Sequence, residues 1–477
     1  MIVARCPSKL RAAKPASRAI ALVAAAAVVI SGAPVRAQTG SNAGIPMIRD
    51  AEIEQLLRDY TQPIFRAAGL TQQNVHVVII DDKAFNAFVM DGHRIFVNAG
   101  ALMQAKTPNE LIGVFAHECG HIVGGHLSKM RQELANAQTA SIIAMLLGAG
   151  ALVAGARSNN SADMGNIGMA TILAPQSLIQ HTLLSYQRAQ EESADRAGVR
   201  FLTMTQQSAK GMYDTFKRFA DETMFSSAYI DPYVQNHPMP AERMAALAEL
   251  VKTPYWNKKD PPELQFRHDM MRAKLFGFTE RADPVLRRYP STNTSIPARY
   301  ARAIVTYRFG DLRSALSQIE GLIKSMPNYP YFYELEGQAL LENGHAAQAI
   351  APLRRAVELA PSPALIQILL AQALIASNNA KNTQEAIPLL RAALLKEPES
   401  GDAYEQLAMA YGHRGDLADA DLASAQAAFA RGDNRTAREL AARAKTRFPV
   451  GSPGWVKADD IVAFNRGSYR NPLRIGQ

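Results

Sequence analysis

Cysteine is almost absent from this chain: Cys6 and Cys119 are the two examples in 477 residues. That excludes a disulfide-stapled scaffold. Long apolar runs are lacking too. The longest unbroken one, 19–30, covers 12 residues, against about 20 for a membrane-spanning helix. It follows Arg5, Lys9, Arg11, Lys14 and Arg18 with no acid among them, and it precedes Val35-Arg36-Ala37, a small-x-small pattern before Gln38. Residues 1–37 therefore read as a cleaved signal peptide, with no cysteine at the cleavage point for a lipid anchor. Excess charge is lacking as well once this leader is set aside. Its six basic residues take the formal charge from +9 to +3, so the basic pI is no argument for nucleic-acid binding. Removal of Cys6 leaves Cys119 alone, so the mature chain has no internal disulfide.

What is present is His117-Glu118-Cys119-Gly120-His121. Two histidines four residues apart on a helix point the same way, about 40° apart around its axis. They can fill two corners of a zinc tetrahedron, with Glu118 placed to take a proton from water. Thr107-Pro108-Asn109-Glu110 supplies a helix start, with Thr107 as N-cap, Pro108 in the first turn and Glu110 completing a capping box. Leu111, Ile112, Phe115, Ile122 and Val123 follow at helical spacing. Cys119 points away from His121 and reads as a small buried residue.

A third ligand has two sources. A histidine six residues past the second one would serve, but position 127 is Leu. The nearby His126 falls about 180° from His117 on a continuous helix, which places it on the far face. The other source is a second helix, 185–202, with Glu191 and Asp195 on one face. There Glu191 would hold the metal and Asp195 would accept the free ring N–H of a ligand histidine. Glu192 is the rival, but Arg196 four residues on suggests a solvated pair.

This pattern resembles the zinc metallopeptidase family that contains the CAAX prenyl proteases, HtpX and Oma. Asn86-Ala87-Phe88 leading into 92–100, the stretch 185–198, and Asn236-His237-Pro238 through Arg243 carry the same likeness. Within that family, a leader, a protease and a repeat array in this order are similar to the periplasmic β-barrel assembly-enhancing proteases. The resemblance implies a periplasmic endopeptidase with one Zn2+ per chain held by His117, His121 and Glu191, and Glu118 as general base. His237 and Arg243 are candidate oxyanion donors, and His237 could instead occupy the open metal position. Implied partners are unfolded or stalled envelope proteins, outer-membrane β-barrel proteins and their assembly machinery, with no nucleic acid.

Around the motif, a helix over 50–68 and strands over 75–80, 85–90 and 94–98 are expected, with turns at Asp81-Asp82 and Asp91-Gly92. Arg94, Ile95, Phe96, Val97 and Asn98 are read as an edge strand that pairs with an extended substrate. The uncharged stretch 140–156 has three readings: a buried hairpin, a lid, or a peripheral membrane contact.

The C-terminal half is periodic. Ala315 and Ala349 are 34 apart, as are Ala386 and Ala420, and Pro327 and Pro361 mark the same phase. That is the tetratricopeptide signature, a stack of helix pairs with a concave, partner-binding surface. The expected fold is mainly α: an α+β zincin-type (gluzincin) domain with a small sheet, followed by an all-α tetratricopeptide array. The expected division is a metallopeptidase domain over 38–258, a connecting segment or degenerate repeat over 259–295, repeats over 296–450 and a tail over 451–477. A different class of function, a chaperone or scaffold that binds envelope proteins through the repeats with little proteolysis, stands beside the enzyme reading.

Overall fold

The computed structural model of the chain describes residues 46–136, 139, 185–225 and 232–464. The leader over 1–37 and the uncharged stretch 140–156 lie outside these residues. Among the described residues no helix is long and apolar enough to cross a membrane. The architecture is mainly helical, with one small sheet.

The sheet has four strands, β1 (Met47–Ile48), β2 (His76–Ile80), β3 (Ala87–Val89) and β4 (Arg94–Asn98). Their spatial order is β1-β2-β4-β3. β2 runs parallel to β4 with Val78 opposite Phe96, and β3 runs antiparallel to it with Phe88 opposite Phe96. This corrects the expectation that residues 94–98 form an edge. β4 has a partner on each side, so its backbone is not open to a substrate, and β3 is the outer strand on its side of the sheet. Sequence order does not give spatial order, but one signal was available. Ile95, Phe96 and Val97 are consecutive apolar residues, all buried, which marks a strand covered on both faces.

The chain separates into two compact units, and the division is not sequential. One holds 62–98 and 109–258; the other holds 48–61, 99–108 and the chain from 259 onward. In the second unit the helices run in pairs. Pro262–Thr279 precedes the short Ala282–Arg288, and then come Ile296–Phe309 with Leu312–Ser325 and Pro330–Glu342 with Ala346–Leu359. Ala364–Ala376 with Ala380–Lys396 and Gly401–Arg414 with Leu417–Ala430 continue the stack. Ala315, Ala349 and Ala386 are fully buried, since a small residue lets paired helices approach closely. The stack also runs past the expected limit at 450. Asn434–Arg447 is followed by Pro453–Ala463, whose Ala458 and Ile461 are buried against Ala437, Ala441 and Ala444.

The second unit contains a buried charge cluster that no local pattern announced. Lys274 Nζ lies 2.7 Å from Asp50, 3.3 Å from Glu52 and 3.2 Å from Glu334. Glu52 also accepts from the Tyr300 hydroxyl at 3.0 Å and from that of Tyr329. Three carboxylates face one ammonium. Burial, with Asp50 and Glu52 adding to it, outweighs Lys274 and pushes Glu334 up from 4.5 to about 7. A carboxyl whose folded pKa is raised holds its proton longer in the native state. Its stabilisation is complete below pH 4.5 and is lost as pH rises through 7. Glu334's own contribution is therefore expected to fall, by a few kcal/mol at most, over that window. Glu334→Gln, which mimics the protonated form, should flatten this part of the profile. Melts of both proteins from pH 4.5 to 7.5 check it; parallel pH profiles would remove Glu334 from the explanation.

Candidate metal centre

The helix carrying the histidine pair spans Pro108–Gly124. His117 and Glu118 are buried in it. A second helix, 185–204, lies against it so closely that side chains are excluded at two points. A Cβ added at Gly120 would sit 2.7 Å from the Ala194 carbonyl oxygen. One added at Gly198 would sit 3.1 Å from the His117 backbone nitrogen. This near approach brings Glu191 and Asp195 to the histidines. Neither glycine was singled out from sequence, because their role is visible only when both helices are placed.

Four side chains converge. His117, His121, Glu191 and His237 each offer one donor atom, all within 4.8 Å of one another. His121 Nε2 is 3.0 Å from His117 Nε2, and the Glu191 oxygens are 3.4 Å from each. His237 Nδ1 is 3.3 Å from His117 Nε2 and 3.1 Å from Glu191 Oε2. Donors on a zinc tetrahedron with bonds of about 2.0–2.1 Å stand roughly 3.3 Å apart. The set fits such an ion by spacing and by chemistry. Glu192 is absent from it: its carboxylate is 3.5 Å from Arg196, and both side chains are about half exposed.

The cluster's electrostatics suit ligation at Glu191 and His121, while at His117 a cation would have to displace a proton. Burial opposes ionisation of Glu191, but His237, His117 and Arg243 outweigh it and hold the carboxyl well below its usual range. Burial, followed by the charge of His117, favours the neutral His121 imidazole, which keeps one ring nitrogen's lone pair available. Burial also pulls His117 down, yet Asp195 and Glu191 overcome that and lift it to about 9. Glu118 is raised, first by burial.

The partners of these donors are equally specific. His117 Nδ1 lies 2.9 Å from Asp195 Oδ1. Asp195 is gripped by Arg243 through Nε at 2.7 Å and Nη2 at 2.8 Å. Arg243 Nη1 reaches the Pro238 carbonyl at 2.9 Å and Glu191 Oε2 at 2.9 Å. Arg243 therefore departs from the expectation of an oxyanion donor. Its guanidinium is engaged by two buried carboxylates and a carbonyl. His237 Nδ1 faces the other donors, and its Nε2 is 3.4 Å from Glu118 Oε1. His126 also departs from its expected far face. The helix stops at Gly124, Gly125 turns with φ of 62°, and a new helix begins at 126. Helical angles cannot be carried across that break, and His126 Nδ1 ends 3.0 Å from His121 Nδ1.

The segment bearing His237 is tied to the outer strand. Asn236 Nδ2 is 3.4 Å from Asn86 Oδ1, one residue before β3. Tyr233 packs its ring 5.5 Å from Phe85 and 4.7 Å from His237.

Comparison with known proteins agrees with this geometry. Residues 48–251 match the model of Peptidase family M48, and 300–365 and 368–422 match a tetratricopeptide repeat model. The "Beta-barrel assembly-enhancing protease" of Yersinia pestis is 23% identical over 86% of this chain and 82% of its own length. The protein of that name from Escherichia coli K12 is 22% identical over 76% of this chain and 73% of its own. "Metalloprotease LoiP" of Escherichia coli K12 is 30% identical over 37% of this chain and 62% of its own. Residues 48–251 are a peptidase family M48 domain, and the chain is a metalloprotease with tetratricopeptide repeats behind it.

Proposed function

We propose that the protein is a zinc-dependent endopeptidase of the periplasm, exported by cleavage of residues 1–37, that acts on outer-membrane β-barrel proteins or their assembly machinery. The observation that carries the chemistry is the convergence of His117, His121, Glu191 and His237 beside a buried Glu118. The relatives' names support the substrate class, and the repeat array supports capture of a protein partner.

His117, His121 and Glu191 would hold the ion. Zinc, when bound, supplies the positive charge that makes water acidic enough to attack near neutral pH. Glu118 takes the water's proton during attack on the peptide carbonyl and passes it to the departing amine. An extended substrate pairs through its backbone with the outer edge of β3, residues Ala87–Val89, which the Asn86–Asn236 contact ties to the site. Asp195 and Arg243 hold His117 and Glu191 in register.

His237 supports a resting, closed form. Its Nδ1 sits among the donors, which makes four protein ligands where a catalytic site keeps three. Its Nε2 also faces Glu118, the group needed for catalysis. In this form the chain binds partners through its repeats without cutting them. His237→Ala is expected to raise casein hydrolysis and to start self-cleavage, with zinc content unchanged. A fall in rate, worth up to about 3 kcal/mol of barrier, would assign His237 to the oxyanion instead.

A further inference from the structure

The two ligand histidines are supported differently. His117 leans on a carboxylate, Asp195, whereas His121 leans on another imidazole, with Nδ1 of His121 and Nδ1 of His126 3.0 Å apart. We infer that His126 is a positioning residue that fixes the tautomer and ring plane of His121. The inference rests on His121 being a metal ligand, as proposed above.

The proton count leaves one arrangement. An imidazole that gives its Nε2 lone pair to a metal carries its proton on Nδ1. His121 Nδ1–H must therefore donate, and His126 Nδ1 must be bare and accept, with its own proton on Nε2. The packing holds His126 to this task. Its ring is buried, and a Cβ at Gly124 would meet it 2.1 Å from Nε2, so the ring lies across a position that only glycine leaves open. Its carbonyl accepts from Gln190 Nε2 at 3.2 Å, so the helix that brings Glu191 also clamps the His126 backbone. The two supports differ in strength. Asp195 is a charged acceptor held by Arg243, while His126 is a neutral one. His121 is also the more exposed ligand, 13% against 0% for His117. His121 is thus the ligand whose orientation depends most on its neighbour.

Three variants of the full chain test this: His126→Ala, His126→Asn and Gly124→Ala. Asn places a carbonyl oxygen near the position of Nδ1 and can accept the same hydrogen bond. Zinc affinity is read by chelator competition, and melting of the metal-free chain reports on folding. His126→Ala and Gly124→Ala are expected to weaken zinc by about 10–100-fold, the usual range for losing a ligand's partner. His126→Asn should recover most of the loss and restore kcat, with KM unchanged throughout. Wild-type affinity in a folded His126→Ala overturns the inference. Equal losses in the Ala and Asn variants overturn it too, since only packing would then matter. If the wild-type chain itself binds no zinc, it is the metal-site reading that fails.

Discussion

Glu118→Gln is expected to lower peptide hydrolysis by at least ~100-fold while zinc stays bound, the lower range for losing a general acid–base group. Gln fills the same volume but cannot take a proton from water. Glu118 is outside the donor set of His117, His121, Glu191 and His237, so the metal keeps its ligands. It is buried in the ligand helix, where a neutral amide is less costly than a charge. Steady-state hydrolysis of casein with metal analysis of the same sample checks both parts. A variant that cleaves like the native chain removes Glu118 from the chemistry; one that loses zinc makes it a structural residue.

Glu191→Gln is expected to act one step earlier, by removing the metal. The Glu191 carboxylate lies 3.4 Å from both ligand histidines and 2.9 Å from Arg243. An amide there loses the charge that balances a divalent cation, and it leaves Arg243 with Asp195 alone as its carboxylate partner. The affinity loss should exceed the ~10–100-fold typical of residues that merely support a ligand. Glu192→Gln is the control. Its exposed pair with Arg196 is worth well under about 1 kcal/mol, and neither zinc nor rate should change. The reverse result would mean that the second helix is read one residue out of register.

How legible the site was follows from which relations are local. His117, Glu118 and His121 are set by a single helix, and Glu191 with Asp195 by a single face of another, so spacing suffices for them. Arg243 was expected to face the oxyanion and His126 the far side of the helix, because spacing does not show what lies between elements. The first is captured by Asp195, 48 positions away in sequence. The second is redirected by one left-handed turn at Gly125. β4 was misplaced for a similar reason: a hairpin pattern shows that β3 pairs with it and not that β2 closes its other side.

The repeat boundary gives the same lesson. A 34-residue period marks where helix pairs recur. It does not reveal that residues 48–61 belong with them, through Glu52 on Tyr300 and Tyr329 and through Lys274 on Asp50. A truncation at 296 would strip Tyr300, Tyr329 and Glu334 from this buried cluster and leave Glu52 and Lys274 short of partners, so the repeats cannot be removed without cost to residues 48–61.

The central claim is that one metal ion, held by His117, His121 and Glu191, makes this chain a protease. Its most direct test is zinc content and casein hydrolysis measured together through chelation and repletion. The wild-type chain should hold one zinc, lose zinc and activity in step with a chelator, and regain both on adding zinc. A chain that still cleaves casein with no metal bound, or that holds zinc undiminished in Glu191→Gln, contradicts the claim.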